Sequence, residues 1–164
     1  MKLAIDMQKC FVAEFPDART VGIAAEVINY VATMLRDAGH TIIQVKDVEG
    51  RGERSEEELD FVVEIERLGG DLELEKIYSN AFWQTDLQAI LHKQGVDLVI
   101  ACGQAAGHCV LFTYNGAIER GFRSVVLQGG VAGGNRQRVK ALYEDRNVIS
   151  YPSGRQPHSN EFGV

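Results

Sequence analysis

Short apolar runs alternate with longer amphipathic stretches along the chain, and the two kinds of segment differ in hydrophobic period. The run at 97–102 is largely continuous and apolar after its first residue, which is typical of a strand that is buried on both faces. Turn residues such as glycine bound most of the apolar runs. The runs predict six strands, at residues 2–5, 41–45, 72–77, 97–102, 124–127 and 147–151.

The amphipathic stretches predict helices that begin and end at recognisable caps. The helix over 21–38 ends at Gly39, and the helix over 107–120 ends at Gly121, both typical C-terminal glycines. Ser55 with Glu58, and Thr85 with Gln88, have the spacing of capping boxes. We therefore expect helices over 55–68 and 85–95, and a last one over 135–144 that begins at the N-cap Asn135.

Strands that alternate with helices predict an α/β fold with crossover connections. We expect a three-layer α/β/α architecture with a central, mostly parallel, Rossmann-like sheet of five to six strands. A chain of 164 residues suits one domain, which we place at 1–151. Residues 152–164 are polar and contain two of the three prolines. We expect this extension to lie on the surface or between subunits.

Charge and composition narrow the classes of partner. The net charge of −6 argues against broad contact with nucleic acid or an anionic membrane. No apolar run is long enough for a membrane span, and the N-terminus does not resemble a signal peptide. We therefore expect a cytoplasmic protein, in which the three cysteines are free thiols.

Three residues with reactive side chains follow predicted strands. Ligands of an open parallel sheet bind beyond the carboxyl ends of its strands, and Asp6, Lys76 and Cys109 all fall at such ends. Cys109 follows the turn 103–108, which is rich in small residues, and it opens a helix, in outline a nucleophile elbow. The free N–H groups and partial positive charge of a helix start favour a thiolate there.

Less specific interpretations apply to each of these residues taken alone. A cysteine is more often a small buried hydrophobic residue than a nucleophile. We assign Cys102 to the core and Cys10 to a structural role. A lone lysine such as Lys76 is usually a surface residue. The small-residue turn could bind phosphate, but it lacks both the dinucleotide-binding spacing and the P-loop ending.

Three motifs together resemble the isochorismatase-like cysteine hydrolases, a superfamily that includes nicotinamidases and N-carbamoylsarcosine amidohydrolases. The motifs are Ala4-Ile5-Asp6-Met7-Gln8, then Lys76 followed by Asn80-Ala81-Phe82, then Gly103-Gln104-Ala105-Ala106-Gly107-His108-Cys109-Val110. Their order and spacing match that superfamily from about residue 2 to 151. Each motif alone has low specificity, whereas the combination is fairly specific.

The resemblance implies a catalytic triad of Asp6, Lys76 and Cys109. Asp6 would exchange the proton, Lys76 would hold Asp6 and stabilise negative charge, and Cys109 would form a thioester. The resemblance also implies a cis peptide bond between Gln104 and Ala105. The backbone N–H groups of Ala105 and Cys109 would form the oxyanion hole.

This sequence departs from the superfamily pattern in two ways, which concern a metal site and the substrate pocket. Nicotinamidases place a histidine-containing metal site after the second strand, whereas here no histidine lies between His40 and His92. We therefore expect no metal and no other cofactor. The region 48–75 is shorter than usual, so the pocket could be open or completed by another subunit. Position in the sequence suggests four residues that contact substrate: Gln8, Phe11, Phe82 and Trp83.

The resulting hypothesis is a hydrolase of small amides or related C–N bonds that acts through a thioester and forms homo-oligomers. His108 neighbours the nucleophile, but adjacent side chains on a helix diverge, so we expect no catalytic role for it. Two alternatives stay open. One is a non-catalytic member that binds a metabolite. The other is a redox sensor that uses a Cys109 thiol of low pKa.

Overall fold

A single parallel sheet organises the chain in this computed structural model, which describes residues 2–13, 18–133 and 135–151. Its strands lie in the order β3-β2-β1-β4-β5-β6, and every neighbouring pair is parallel. The predicted α/β class and the mostly parallel sheet of five to six strands are confirmed. The strands are β1 (Lys2–Ile5), β2 (Ile42–Asp47), β3 (Leu72–Lys76), β4 (Leu98–Gly103), β5 (Arg123–Val131) and β6 (Val148–Ile149).

Helices cover both faces of the sheet, which confirms the three-layer arrangement. One face carries α2 and the other carries α4, α5 and α6. None of the helices in the described ranges combines the length and the apolar character needed to cross a membrane. The helices are α1 (Lys9–Val12), α2 (Ala18–Asp37), α3 (Glu56–Leu59), α4 (Leu87–Lys93), α5 (Cys109–Glu119) and α6 (Arg136–Asp145).

The sheet divides the hydrophobic core into two clusters, because successive side chains of a strand point to opposite faces. On β4, Val99 and Ala101 pack in the cluster under α5, whereas Ile100 and Cys102 pack in the cluster under α2. Cys102 is fully buried, as predicted. Burial on both faces explains why the central strands have continuous apolar sequences.

The stretch after Ser55 differs from its prediction. The capping box of Ser55 and Glu58 is present, but α3 ends at Leu59 instead of continuing to Leu68. Beyond it, Phe61 forms an antiparallel bridge with Gln8, and Val62 donates a backbone hydrogen bond to Met7 at 2.8 Å. The backbone partners are thus taken by long-range pairing, which overrides local helix propensity. Phe61, Val62 and Ile65 enter the core against α2.

Two other local predictions need correction. The N-cap of α4 is Asp86, and Thr85 forms no capping box. The Thr85 hydroxyl donates to Ala81 O at 2.6 Å and accepts from Leu87 N at 3.3 Å. The short helix α1 was not predicted, since it is one turn without a clear hydrophobic period. The C-terminal extension 152–164 lies outside the described residues, so its surface or intersubunit placement stays a prediction.

Candidate active site

The site lies at the carboxyl edge of the sheet, where the strand order changes direction between β1 and β4. Asp6 directly follows β1, Asp47 is the last residue of β2, and Lys76 is the last residue of β3. Asp47 and Lys76 are register partners across adjacent strands. The parallel topology therefore brings these three charged side chains to one point, as expected for ligand sites of open α/β sheets.

The Lys76 ammonium is at the centre of the cluster. Its Nζ lies 2.9 Å from Asp6 Oδ2, 2.7 Å from Asp47 Oδ2 and 3.5 Å from Cys109 Sγ. The Lys76 side chain has no exposed surface. A buried ammonium is tolerated only when anionic partners compensate for its lost hydration, and the two carboxylates provide that compensation.

Asp6 reaches the cluster because of an uncommon backbone conformation. Its φ angle is +48°, in the left-handed region that aspartate adopts more readily than most residues. The Asp6 N–H donates to Val45 O at 3.1 Å, which fixes this turn to β2. Asp6 is only 2% exposed. A buried residue held in a sparsely populated conformation is a recurrent feature of functional sites.

Cys109 lies opposite the carboxylates, at the first turn of α5. The loop between β4 and α5 contains the cis peptide bond between Gln104 and Ala105 that the resemblance implied. Cys109, Asp6 and this loop border one cavity of about 560 Å³, a size suited to a small-molecule ligand. The residues that line it are Asp6, Phe11, Asp47, Glu49, Ser79, Gln104, Ala105, Ala106, Gly107, His108, Cys109, Gly133, Asn135 and Arg138.

Burial and charge shift the acid–base properties of the cluster in opposite directions. Burial raises the pKa of Asp6 to about 6, although the positive charge of Lys76 partly offsets this effect. Burial alone would lower the pKa of Lys76, but the charge of Asp6 and the hydrogen bond to Asp47 raise it above its ordinary value. Near neutral pH the cluster therefore holds an ammonium and a carboxylate that can still accept a proton.

The Cys109 thiol is protonated in this resting arrangement. Burial and the neighbouring Asp6 carboxylate raise the pKa of Cys109 to about 12, and Lys76 counteracts them only in part. This result differs from the expectation that the helix start favours a thiolate. The dipole effect of a helix start is small, whereas burial next to an anion is a large penalty for a second negative charge.

Ligand atoms of Asp6, Asp47 and Cys109 lie within 4.8 Å of one another, a spacing that a metal ion could bridge. The Lys76 ammonium already lies within ion-pair distance of both carboxylates, however. A divalent cation at the same point would meet a buried like charge. The donor set therefore fits a lysine-centred cluster better than a metal centre.

The structure separates the four residues that were predicted to contact substrate. Phe11 lines the cavity, whereas Gln8, Phe82 and Trp83 are not among its lining residues. Phe82 is buried in the core and stacks on Phe122 with ring centroids 5.9 Å apart. Trp83 is 52% exposed. Sequence proximity to the triad therefore does not place these side chains in the cavity.

Gln8 is a buried support for Asp47 instead of a cavity residue. Its Oε1 accepts from Asp47 N at 2.7 Å, and its Nε2 donates to Asp47 O at 2.9 Å and to Leu59 O at 2.7 Å. Gln8 is fully buried. These bonds tie β2 to α3, and they fix the backbone from which Asp47 reaches Lys76.

We predict that Gln8→Leu lowers the free energy of unfolding by about 3 kcal/mol, because three buried backbone groups lose their partners. Urea denaturation measures this change. Gln44→Leu is a matched control, since Gln44 is equally buried on β2 but its hydrogen bonds are 3.4 Å long. Equal losses in the two variants would show that the Gln8 network has no special stabilising role.

Several cavity residues were not predicted from sequence. Asp47 was not among the predicted site residues, although its position beside Lys76 follows from adjacent parallel strands of matched register. Asn135 was predicted as a helix cap, which is confirmed, since its Oδ1 accepts from Gln137 N. Arg138 and Glu49 carried no motif that could have identified them.

Comparison with known proteins supports the family assignment. The model of the isochorismatase domain matches residues 1–151. The maleamate amidohydrolase of Pseudomonas putida is 37% identical over 59 residues, which are 36% of this chain and 28% of that protein. The chain thus matches less than a third of the length of this curated relative.

Solved structures share the fold over nearly the whole chain. An isochorismatase-like hydrolase from Alkaliphilus metalliredigens superposes with a TM-score of 0.79 at 21% identity, covering 91% of this chain and 92% of that one. The N-carbamoylsarcosine amidase of Thermoplasma acidophilum superposes with a TM-score of 0.77 at 21% identity, covering 95% and 97%. At these identities the likeness concerns the fold.

Proposed function

The chain belongs to the isochorismatase family, and we propose that it is a cysteine-dependent amidohydrolase of small amides. The observation that carries this proposal is the convergence of Asp6, Lys76 and Cys109, with Lys76 Nζ 2.9 Å from Asp6 and 3.5 Å from the thiol. Asp6 and Cys109 line the cavity, and Lys76 lies buried behind them. A nucleophile, a base and an orienting charge within such distances are the components of acyl transfer. A curated relative that hydrolyses an amide, the maleamate amidohydrolase, supports the same class of reaction.

The first half of the proposed reaction forms a thioester. Asp6 accepts the thiol proton as Cys109 Sγ attacks the carbonyl carbon of the amide, and the carbonyl oxygen becomes an oxyanion. The tetrahedral intermediate then collapses. The C–N bond breaks, and Asp6 returns the proton to the departing nitrogen, so that ammonia or an amine leaves with balanced charge.

The second half of the reaction releases the acid. Asp6 takes a proton from a water molecule, and the resulting hydroxide attacks the thioester carbonyl. The C–S bond breaks, the carboxylic acid leaves, and the proton on Asp6 returns to the thiolate. Lys76 keeps its proton throughout, because its raised pKa suits a fixed positive charge that stabilises each anionic state.

Backbone N–H groups of Ala105 and Cys109 are proposed to bind the oxyanion. Both residues line the cavity, at the loop and at the first residue of α5. Donors of this kind act without reorganisation during the reaction, and loss of one such donor typically costs ~10²–10³ in rate. Because these donors are backbone N–H groups, the loop needs no polar side chains to bind the oxyanion, and small residues can occupy it.

The two alternatives predict different behaviour of the same residues. A redox sensor needs a thiolate at neutral pH, whereas burial and Asp6 raise the pKa of Cys109 to about 12. A pure metabolite-binding protein has no need of a buried, proton-accepting carboxylate beside a thiol. The arrangement therefore favours hydrolysis over both.

Ammonia release from a panel of small primary amides tests the proposal. The panel should include maleamate, succinamate, succinamide and nicotinamide. Each amide is incubated with the purified protein, and a continuous coupled assay measures the ammonia that is released. We expect catalytic turnover of at least one of them. An absence of turnover across the panel, with reversible oxidation of Cys109 by peroxide, would favour the sensor instead.

The pH dependence of kcat/KM is expected to have one acidic limb with a midpoint near pH 6. Asp6 must be ionised to accept the thiol proton, and its pKa is raised to about 6, so activity is retained above this pH and falls below it. No limb from the thiol is expected below pH 10, because the pKa of Cys109 is raised to about 12. In the Asp6→Asn variant, the pH profile of the residual activity should lack the acidic limb. An acidic limb that persists in this variant would show that another group causes it.

A further inference from the structure

We propose that Arg138 binds a carboxylate group on the substrate, so that the preferred substrate is a small monoamide of a dicarboxylic acid. In this scheme Gln104 accepts a hydrogen bond from the amide nitrogen of the same molecule. The inference deepens the proposed hydrolase function and rests on it for the identity of the scissile bond. The proposed binding of an anion by Arg138 does not depend on that function.

Arg138 is placed over the loop that carries the nucleophile. A Cβ atom added to Gly107 would lie 3.1 Å from Arg138 Cδ and 3.2 Å from its Nη1, so glycine at this position leaves room for the arginine. Arg138 Nη1 also lies 3.0 Å from His108 Nε2. Gly107 and His108 immediately precede Cys109. The guanidinium therefore lies against this loop, on the wall of the cavity that Cys109 also lines.

The pairing of Arg138 leaves its capacity to bind an anion unused. Within the described residues, the partner found for its guanidinium is a ring nitrogen of His108, and no carboxylate is found within ion-pair distance. An arginine fork carries five donors in a plane and matches a carboxylate through two parallel bonds. Because Arg138 lines the cavity, a ligand carboxylate could reach it.

Gln104 supplies a second, independent observation that points to a ligand. It is 7% exposed and lines the cavity, and its Nε2 donates to Phe11 O at 3.2 Å. Its Oε1 is buried and has no hydrogen-bond partner in the described part of the chain. A buried acceptor without a partner is costly, and an amide N–H of a bound substrate would satisfy it.

Charge at the cavity agrees with one anchoring point for an anion. Asp6 and Asp47 share the single Lys76 ammonium, so their two negative charges are only partly compensated. Glu49 is a further carboxylate on the cavity wall, and its repulsion would direct a substrate carboxylate toward Arg138. A ligand with an amide at one end and a carboxylate at the other satisfies Gln104, Cys109 and Arg138 together.

Ligand binding to an inactive background tests the inference apart from turnover. The background is Cys109→Ala, and the probes are succinamate and its neutral counterpart succinamide, followed by NMR titration of the protein. We expect Arg138→Gln to weaken succinamate binding by about tenfold to a hundredfold, as for loss of a charged hydrogen bond. Succinamide affinity should not change. Arg138→Lys should restore part of the loss, because it keeps the charge without the fork.

Lys140→Gln is the matched control, since it removes one positive charge from the exposed side of the same helix. It should leave the affinity for succinamate unchanged.

Gln104→Met should weaken the binding of both ligands, because both contain the amide group. Equal succinamate affinity in Arg138→Gln and its parent would overturn the inference, and so would an absence of succinamate binding to the parent. Arg138-dependent binding without turnover of any amide by the wild type would retain the anion site and reject the hydrolase.

Discussion

Replacement of Cys109 by alanine is expected to abolish amide hydrolysis, with a loss of kcat of at least about 10⁴-fold, as for removal of a covalent nucleophile. The thioester cannot form without Sγ, and the remaining groups can only orient substrate and stabilise the oxyanion. The fold should persist, because Cys109 is only partly buried and alanine is smaller. Steady-state ammonia release measures the loss, and circular dichroism checks that the variant is folded.

Cys10→Ala is the matched control for this result. Cys10 is also a free, partly buried thiol, but it is not among the residues that line the catalytic cavity. The variant should keep wild-type turnover. If both variants lost activity equally, the effect would reflect general sensitivity to thiol removal and not nucleophilic catalysis by Cys109.

Replacement of Lys76 by methionine is expected to reduce stability and activity together. Methionine fills a similar volume but leaves Asp6 and Asp47 buried without a counter-charge, and breaking a buried ion pair in this way costs about 3–5 kcal/mol. Without the ammonium, the pKa of Asp6 rises further and the folded state takes up a proton at this residue. The loss of unfolding free energy should therefore be larger at pH 8 than at pH 5.

Urea denaturation at the two pH values measures this effect, with Lys46→Met as the control. Lys46 is also largely buried on β2, but its ion pair is with the exposed Glu56 at 3.5 Å. A pair with an exposed partner contributes about 0–1 kcal/mol. Similar losses in the two variants, or a loss by Lys76→Met that does not depend on pH, would contradict the central place given to the Lys76 ammonium.

Local pattern and strand ends made the sheet and the triad candidates predictable. Short apolar runs predicted the strands, and Asp6, Lys76 and Cys109 could be placed at one edge because parallel strands share their carboxyl ends. The resemblance to the cysteine hydrolases added the roles. The sheet and the triad candidates depend on the order of the elements and on a few positions, so a single sequence is enough to predict them.

Long-range pairing was not predictable in the same way. The segment after α3 has a helical start signal at Ser55, yet Val62 pairs with Met7 and ends the regular structure. Gln8 was expected to face substrate because it follows Asp6, but its side chain turns to the backbone of Asp47. In both cases the deciding contacts join residues far apart in the chain, which local propensity does not encode.

The thiol pKa is the clearest case where sequence reasoning pointed in the wrong direction. A helix start suggested a thiolate, whereas the fold partly buries Cys109 beside the Asp6 carboxylate and so raises the pKa of the thiol to about 12. Proton transfer to Asp6 therefore belongs to the attack step and does not precede it. The proposed reaction therefore starts from a neutral thiol and an ionised carboxylate.

Rapid-quench mass spectrometry during turnover of an amide substrate tests the central claim most directly. Acid quench in the steady state should trap the acyl group on the peptide that contains Cys109, with a mass increase equal to the substrate minus its leaving ammonia or amine. The adduct should disappear on treatment with neutral hydroxylamine, which cleaves thioesters. Sustained hydrolysis by Cys109→Ala at the wild-type rate, with no adduct on Cys109 in the wild type, would contradict the mechanism.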